Sequence, residues 1–131
     1  AASAWDPGGG LLVPLVRTGQ VLSVGCFGWA PVAMAVRAAV GRLTDDGLTG
    51  GTITVSNLGM FGVVTGFPLV NAPQAVIVFA GAVVDRPAVV DGEVGIRPEL
   101  GLTIGFDHRV LDGATAARFT AALRAAIEAT P

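Results

Sequence analysis

The chain has 131 residues, of which 52% are apolar and 14% charged, with a formal net charge of −2 and a pI near 5.1. That length builds one domain with a core of its own but not two, and an acidic chain without a basic stripe excludes a nucleic-acid binder. So few charges on a small domain imply that partner subunits cover apolar surface.

Ala1 to Gly10 carries little pattern, and Gly8-Gly9-Gly10 reads as a loop. No basic region precedes an apolar stretch there, so no signal peptide is expected. Leu11 to Val16 reads as a short strand; Pro14 cannot donate to a ladder, which puts it at an edge or a bulge. Thr18 to Val36 holds no charge, near the span of a membrane helix. Gly19, Gln20, Ser23, Gly25, Gly28 and Pro31 interrupt it, so a buried strand or loop leading into a core helix is expected and no membrane span. Cys26 is the only cysteine. It excludes an internal disulfide, fits a reducing, cytoplasmic compartment, and has no neighbouring charge to activate its thiol, so it reads as core filler.

Pro31 suits the first turn of a helix. Val32, Val36, Val40 and Leu43 then recur at helical spacing, with Arg37 and Arg42 for the wet side, until Gly47 and Gly50-Gly51 end the pattern. Thr52 to Ser56 alternates β-branched residues and predicts a strand, broken by the Asn57-Leu58-Gly59 loop. Ala75 to Val84 is apolar throughout and predicts a strand buried on both faces. Ala88 to Val90, Asp91-Gly92 and Glu93 to Ile96 predict a hairpin on a type I′ turn. Leu100 to Phe106 predicts a further strand. Asp112 can cap a final helix, in which Phe119, Leu123 and Ile127 share a face and Arg124 pairs with Glu128. Strands with two helices, without strict alternation, predict an α+β fold.

His108 is the only histidine, so histidine chemistry must use it. It falls between a strand and a capped helix, where a side chain is held rigidly beside a cleft. A lone histidine in that setting is also a common structural residue. One histidine with Asp107 and Asp112 nearby does not make a metal ligand set. Gly8-Gly9-Gly10 lacks the lysine of a phosphate loop, and Gly59-Met60-Phe61-Gly62 lacks its helix. Ser56 lies in Val-Ser-Asn-Leu-Gly rather than a hydrolase elbow.

Asp107-His108-Arg109-Val110-Leu111-Asp112-Gly113 resembles the signature of the acyltransferase (E2) catalytic domain of 2-oxoacid dehydrogenase complexes, which shares the chloramphenicol acetyltransferase-like fold. Gly50 to Gly62, with Val55-Ser56-Asn57-Leu58-Gly59, resembles the family's second hallmark. Pro68 to Ala75 and Gly10 to Arg17 match in order, so the likeness covers nearly the whole chain. Gly25 to Pro31 departs from the charged amphipathic helix of the family.

The resemblance implies a transferase moving an acyl group between dihydrolipoamide and coenzyme A, both substrates, with the lipoyl group carried on a separate domain. It implies His108 as general base, Ser56 as hydroxyl donor to the tetrahedral oxyanion, and Asp112 ordering the histidine loop through a buried polar contact. No residue is assigned to coenzyme A. It further implies a homotrimer with histidine and hydroxyl from neighbouring subunits, a larger core, and the E1 and E3 components as partners. Residues 1–131 correspond to the C-terminal portion of the family's longer catalytic domain, without lipoyl or peripheral subunit-binding domains. The arginine that faces the Asp112 position lies outside that portion, leaving Arg17 or Arg97 as substitutes. The segment from Met60 to Phe67 is expected to shape the acyl end of the site, and no cation stands between Met60 and Val70, which favours acetyl or branched-chain over succinyl groups. The alternative is a structural core or remnant that trimerises without acyl transfer. The bland reading of Ser56 is a strand-end hydroxyl bonded to its own backbone.

Overall fold

The computed structural model describes residues 2–3, 13, 15–17, 30, 32–34, 36–37, 40 and 49–129. Cys26, the Gly8 to Gly10 loop, Pro14, Pro31, Leu43, Gly47 and most of the uncharged stretch from Thr18 lie outside the described residues.

Strands β1 (Ala2–Ser3), β2 (Ile53–Asn57), β3 (Val76–Val90) and β4 (Glu93–Phe106) form one sheet in that order. β1 pairs with β2 and β2 with β3 in parallel, while β3 and β4 are antiparallel. Helix α1 spans Gly113–Glu128. This mixed sheet with helix is the expected α+β arrangement.

The sheet is covered differently on its two faces because its side chains alternate. Thr54, Ser56, Ile77 and Phe79 share one face, by register and by alternation. The segment from Val63 to Val70 crosses that face: Gly66 approaches the Phe79 ring, and Gly105 lies against Ile77 and the Pro68 carbonyl. Val76, Val78 and Leu102 belong to the opposite face, where Leu102 shares a cleft with Thr120, Arg124 and Ile127 of α1. Ile77, Val78, Phe79, Leu15, Val16 and Ala116 form the buried core.

The crossing segment runs close to the sheet backbone. A Cβ at Gly81 would strike the Val64 carbonyl. We expect Gly81→Ala to destabilise the fold by roughly 1–3 kcal/mol, the usual range for forced overpacking, read as a lowered midpoint in urea denaturation. An unchanged midpoint would show that the segment moves aside freely.

Three predicted pieces, Ala75 to Val84, the 88–96 hairpin and Leu100 to Phe106, are one continuous hairpin in the structure. Asp91 and Gly92 both carry positive φ, 54° and 86°, as a type I′ turn requires. A register shift between Ala80 and Val83 is the only irregularity along the pair. β2 ends at Asn57, opposite Ala80, so among the described residues β3 and β4 pair only with each other from Val83 outward. Pro87 and Pro98 are tolerated inside strands there because each has a free outer rim, and a proline costs no ladder bond where its missing N–H would face outward.

This distal ribbon is two-faced. Val83, Pro87, Val89, Val94, Ile96, Pro98 and Leu100 lie on one side with Asp85, while Arg86, Glu93, Arg97 and Glu99 lie on the other with Val84, Ala88 and Val90. Val89, Val94 and Ile96 are each more than 70% exposed. The expectation that Ala75 to Val84 is buried on both faces therefore holds only for Ile77 to Phe79 and Gly81. The helical residues Ala30, 32–34 and 36–37 agree with the predicted helix, but Val32, Val36 and Val40 of its apolar face are exposed as well.

Candidate active site

His108 follows β4 on a tight turn. Asp107 N–H donates to the Ala75 carbonyl at 2.9 Å, and the Asp107 carbonyl accepts from Val110 N–H at 2.9 Å and Leu111 N–H at 3.0 Å. The imidazole is exposed, with its ring 5.6 Å from that of Phe106. Asp107 also binds Arg109, which pulls its carboxyl down to about 2, chiefly through the side-chain hydrogen bond and then the backbone one.

Asp112 is the N-cap of α1, accepting from Thr115 N–H at 2.6 Å. That bond, first among the causes, lowers its pKa, and the nearby His108 adds a smaller electrostatic pull. The cap is as predicted. Among the described residues Asp112 is exposed, and its carboxylate caps the helix terminus.

Both carboxylates titrate below their ordinary value of 3.8. A lowered folded pKa means stability present above the unfolded value and lost as pH falls through the folded one. The stability gap between wild type and Asp107→Asn should hold above about pH 4 and close towards pH 2, measured by urea denaturation at each pH. A gap that persists at the acid end would mean that charge is not its source.

Ser56 stands near the end of β2, half-buried, in a cleft of about 520 Å³ lined also by Val13, Thr54, Leu69, Val70, Asn71 and Ile77. Among the described residues no group bonds its hydroxyl, so the strand-end alternative of a hydroxyl held by its own backbone does not apply. Thr54 below it is buried and bonds the buried Gln74 side chain. Asn71 closes the turn to Gln74, whose N–H donates to the Asn71 carbonyl at 2.9 Å. Beyond Ser56, Asn57 Oδ1 accepts from Gly59 N–H at 2.9 Å, shaping the next turn. Of the neighbouring loop, Leu69, Val70 and Asn71 line the Ser56 cleft, whereas Met60, Phe61 and Phe67 are exposed.

The register separates the two candidates. Ile53, Val76 and Phe106 form one row across the sheet, and Ser56, Phe79 and Thr103 form another three residues along. His108 lies beyond the first row and two strands across. At about 3.3 Å per residue and 4.8 Å per strand, they stand on the order of 15 Å or more apart within one chain.

Of the two arginines considered as partners for Asp112, Arg97 is on the distal ribbon, opposite Arg86 and nine residues from Phe106. That puts it roughly 30 Å from the His108 turn by strand rise. Arg17 Nη2 donates to the Thr49 carbonyl at 3.4 Å, close to the start of β2. Thr54, Asn71 and Gln74 were expected only as parts of longer motifs, and the bond between Asp107 and Arg109 was not expected. The alternation of Thr54 with Ser56, and the aspartate two residues before Arg109, were the available signals.

Among the described residues no group of histidine, cysteine and acidic side chains could hold a metal, and no helix is long and apolar enough to cross a membrane.

The sequence matches the family 2-oxoacid dehydrogenases acyltransferase (catalytic domain) over residues 2–131. It is 39% identical over 119 residues to the mitochondrial dihydrolipoyllysine-residue succinyltransferase component of the 2-oxoglutarate dehydrogenase complex of Saccharomyces cerevisiae, covering 91% of this chain and 26% of that protein. The chain thus spans about a quarter of that relative's length. A crystal structure of a probable dihydrolipoamide acetyltransferase from Listeria monocytogenes superposes with TM-score 0.92 at 32% identity, covering 97% of this chain and 54% of the other. A dihydrolipoamide acetyltransferase from Azotobacter vinelandii superposes with TM-score 0.85 at 36% identity, covering 93% and 50%; that structure was used to probe a serine, a histidine and an asparagine in its catalytic mechanism. These likenesses establish the chloramphenicol acetyltransferase-like fold, and the chain belongs to the 2-oxoacid dehydrogenase acyltransferase family, within its catalytic domain.

Proposed function

We propose that this chain is the C-terminal portion of an acyltransferase domain that moves an acyl group between dihydrolipoamide and coenzyme A at the core of a 2-oxoacid dehydrogenase complex. His108 takes the thiol proton, and the thiolate attacks the thioester carbonyl. Ser56 donates to the resulting oxyanion, and collapse expels the other thiolate, which recovers the proton from the imidazolium. An imidazole suits this because its pKa lies near working pH.

The observation that carries the reading is a pair of intervals. In the Azotobacter enzyme the serine lies 52 residues before the histidine and the asparagine four after it; Ser56, His108 and Asp112 stand at the same intervals here, with aspartate in place of asparagine. The wide separation of Ser56 from His108 within one chain supports a site completed by a neighbouring subunit. A reacting carbon must lie about 3 Å from both the nucleophile and the oxyanion donor, which one copy cannot provide. The exposed valines and the ribbon face supply apolar surface for such a trimer and for a larger core. A neighbour with 36% identity and TM-score 0.83 is the cubic core of a pyruvate dehydrogenase multienzyme complex, which supports association with E1 and E3.

The named substrates of the curated relatives point to succinyl transfer. The second reading, a neutral acetyl or branched-chain group, rests on 60–70 holding no cation. A panel of succinyl, acetyl and branched-chain thioesters against the full-length protein separates them. We expect kcat/KM for succinyl to lead by at least about tenfold, the value of one charge-assisted contact. A lead by acetyl or isobutyryl would overturn succinyl, and no transfer to any thiol would favour a purely structural core.

A further inference from the structure

We propose that Asp107 and Arg109 form a clamp that positions His108, acting on the reaction through the histidine without touching substrate. The inference rests on His108 being the base.

Every polar group of Asp107 is engaged. Its N–H makes the last bond to β3's side of the sheet, at Ala75, and its carbonyl closes the turn by accepting from Val110 and Leu111. Its Oδ1 accepts from the Arg109 backbone N–H at 2.9 Å and from Arg109 Nε at 3.0 Å. Its Oδ2 accepts from Nη2 at 2.6 Å and Nε at 3.1 Å. Sheet end, turn and ion pair therefore meet on the residue before His108, and the arginine that completes them is the residue after it.

His108 needs such a device. Its imidazole is exposed, and a tilted ring contact at 5.6 Å does not fix a rotamer. Among the described residues, it is the backbone carrying it that is held in place. The carboxylate is the seated partner, at 20% side-chain exposure, and the guanidinium lies over it at 85%. An ion pair that open contributes only modestly to stability, and the effect proposed here is geometric. A base misplaced by about 1 Å can cost on the order of 100-fold in rate. The planar fork of arginine, which spans both oxygens, is not reproduced by a lysine.

The test measures kcat and KM for acyl transfer in the full-length protein carrying Arg109→Ala, Arg109→Lys, Asp107→Asn or Asp107→Ala, each alone and with His108→Ala. Arg109→Ala should lower kcat by about tenfold or more with KM for both thiol and thioester within about twofold. Arg109→Lys should not restore it. Asp107→Asn, which keeps an acceptor for the Arg109 N–H, should lose less than Asp107→Ala. In the His108→Ala background Arg109→Ala should cause no further loss, because a residue acting through the histidine has nothing left to act on.

An equal loss in both backgrounds, or Arg109→Ala with kcat within about twofold of wild type beside an inactive His108→Ala, overturns the clamp alone. Full transfer by His108→Ala removes the base and the clamp together. Should Asp107→Ala fail to assemble, Arg109→Lys carries the same comparison, with assembly checked by light scattering.

Discussion

Replacing His108 with alanine should lower thiol-dependent acyl transfer by about 10²–10⁴-fold, the ordinary share of a positioned general base. The loss should fall on kcat, with KM for both substrates nearly unchanged, since the imidazole acts on the proton in flight rather than on substrate affinity. Assembly should be unaffected: the side chain is exposed, and the turn beneath it is tied by Asp107, Ala75, Val110 and Leu111 rather than by the ring. Steady-state kinetics with light scattering on the same preparation checks both halves. Wild-type transfer in the variant would discard the base assignment and leave the chain as a scaffold.

The second large effect concerns Ser56. Ser56→Ala should lower kcat by about 10²–10³-fold, the cost of removing one oxyanion donor. The mixture is more telling than the single variant. Within one chain Ser56 and His108 stand too far apart to share a reacting carbon. If each site takes its hydroxyl from one subunit and its imidazole from the next, dissociating and reassembling equal amounts of Ser56→Ala and His108→Ala should recover up to about a quarter of wild-type activity, since a cyclic head-to-tail arrangement pairs an intact donor with an intact base at that frequency. Recovery indistinguishable from the inactive parents would place both residues in sites built from single chains, against the strand register.

Local signals were readable in sequence, and non-local ones were not. The alternation of Ile53 to Val55, the Asp91-Gly92 turn, the Asp112 cap and the Arg124–Glu128 pair, at 2.7 Å, each depend on residues within a few positions of one another. The continuity of β3 and β4 depends on something sequence does not print. Asp85-Arg86-Pro87 and Arg97-Pro98 look like breaks, and they are absorbed because the ribbon there has no further strand beside it among the described residues. The pattern of Val32, Val36 and Val40 marks an apolar helix face without saying what covers it. The site divides the same way. Ser56, His108 and Asp112 are visible as motif positions, but their distance from one another is a matter of register. Asp107 looked like a poor metal ligand next to Asp112, and its partner proved to be the arginine two residues on.

A free two-stranded ribbon with an apolar face is ordinarily a template for open-ended cross-β growth, in which each added strand offers a fresh edge to the next. Pro87 interrupts the outer rim of β3 and Pro98 that of β4, so an incoming strand meets a gap in the row of donors on either side. In the assembly proposed above, an arriving subunit would meet the ribbon's flat side and consume the apolar surface instead of renewing it. That asymmetry between face and rim favours closed particles over fibres, without any charge on the apolar side except Asp85.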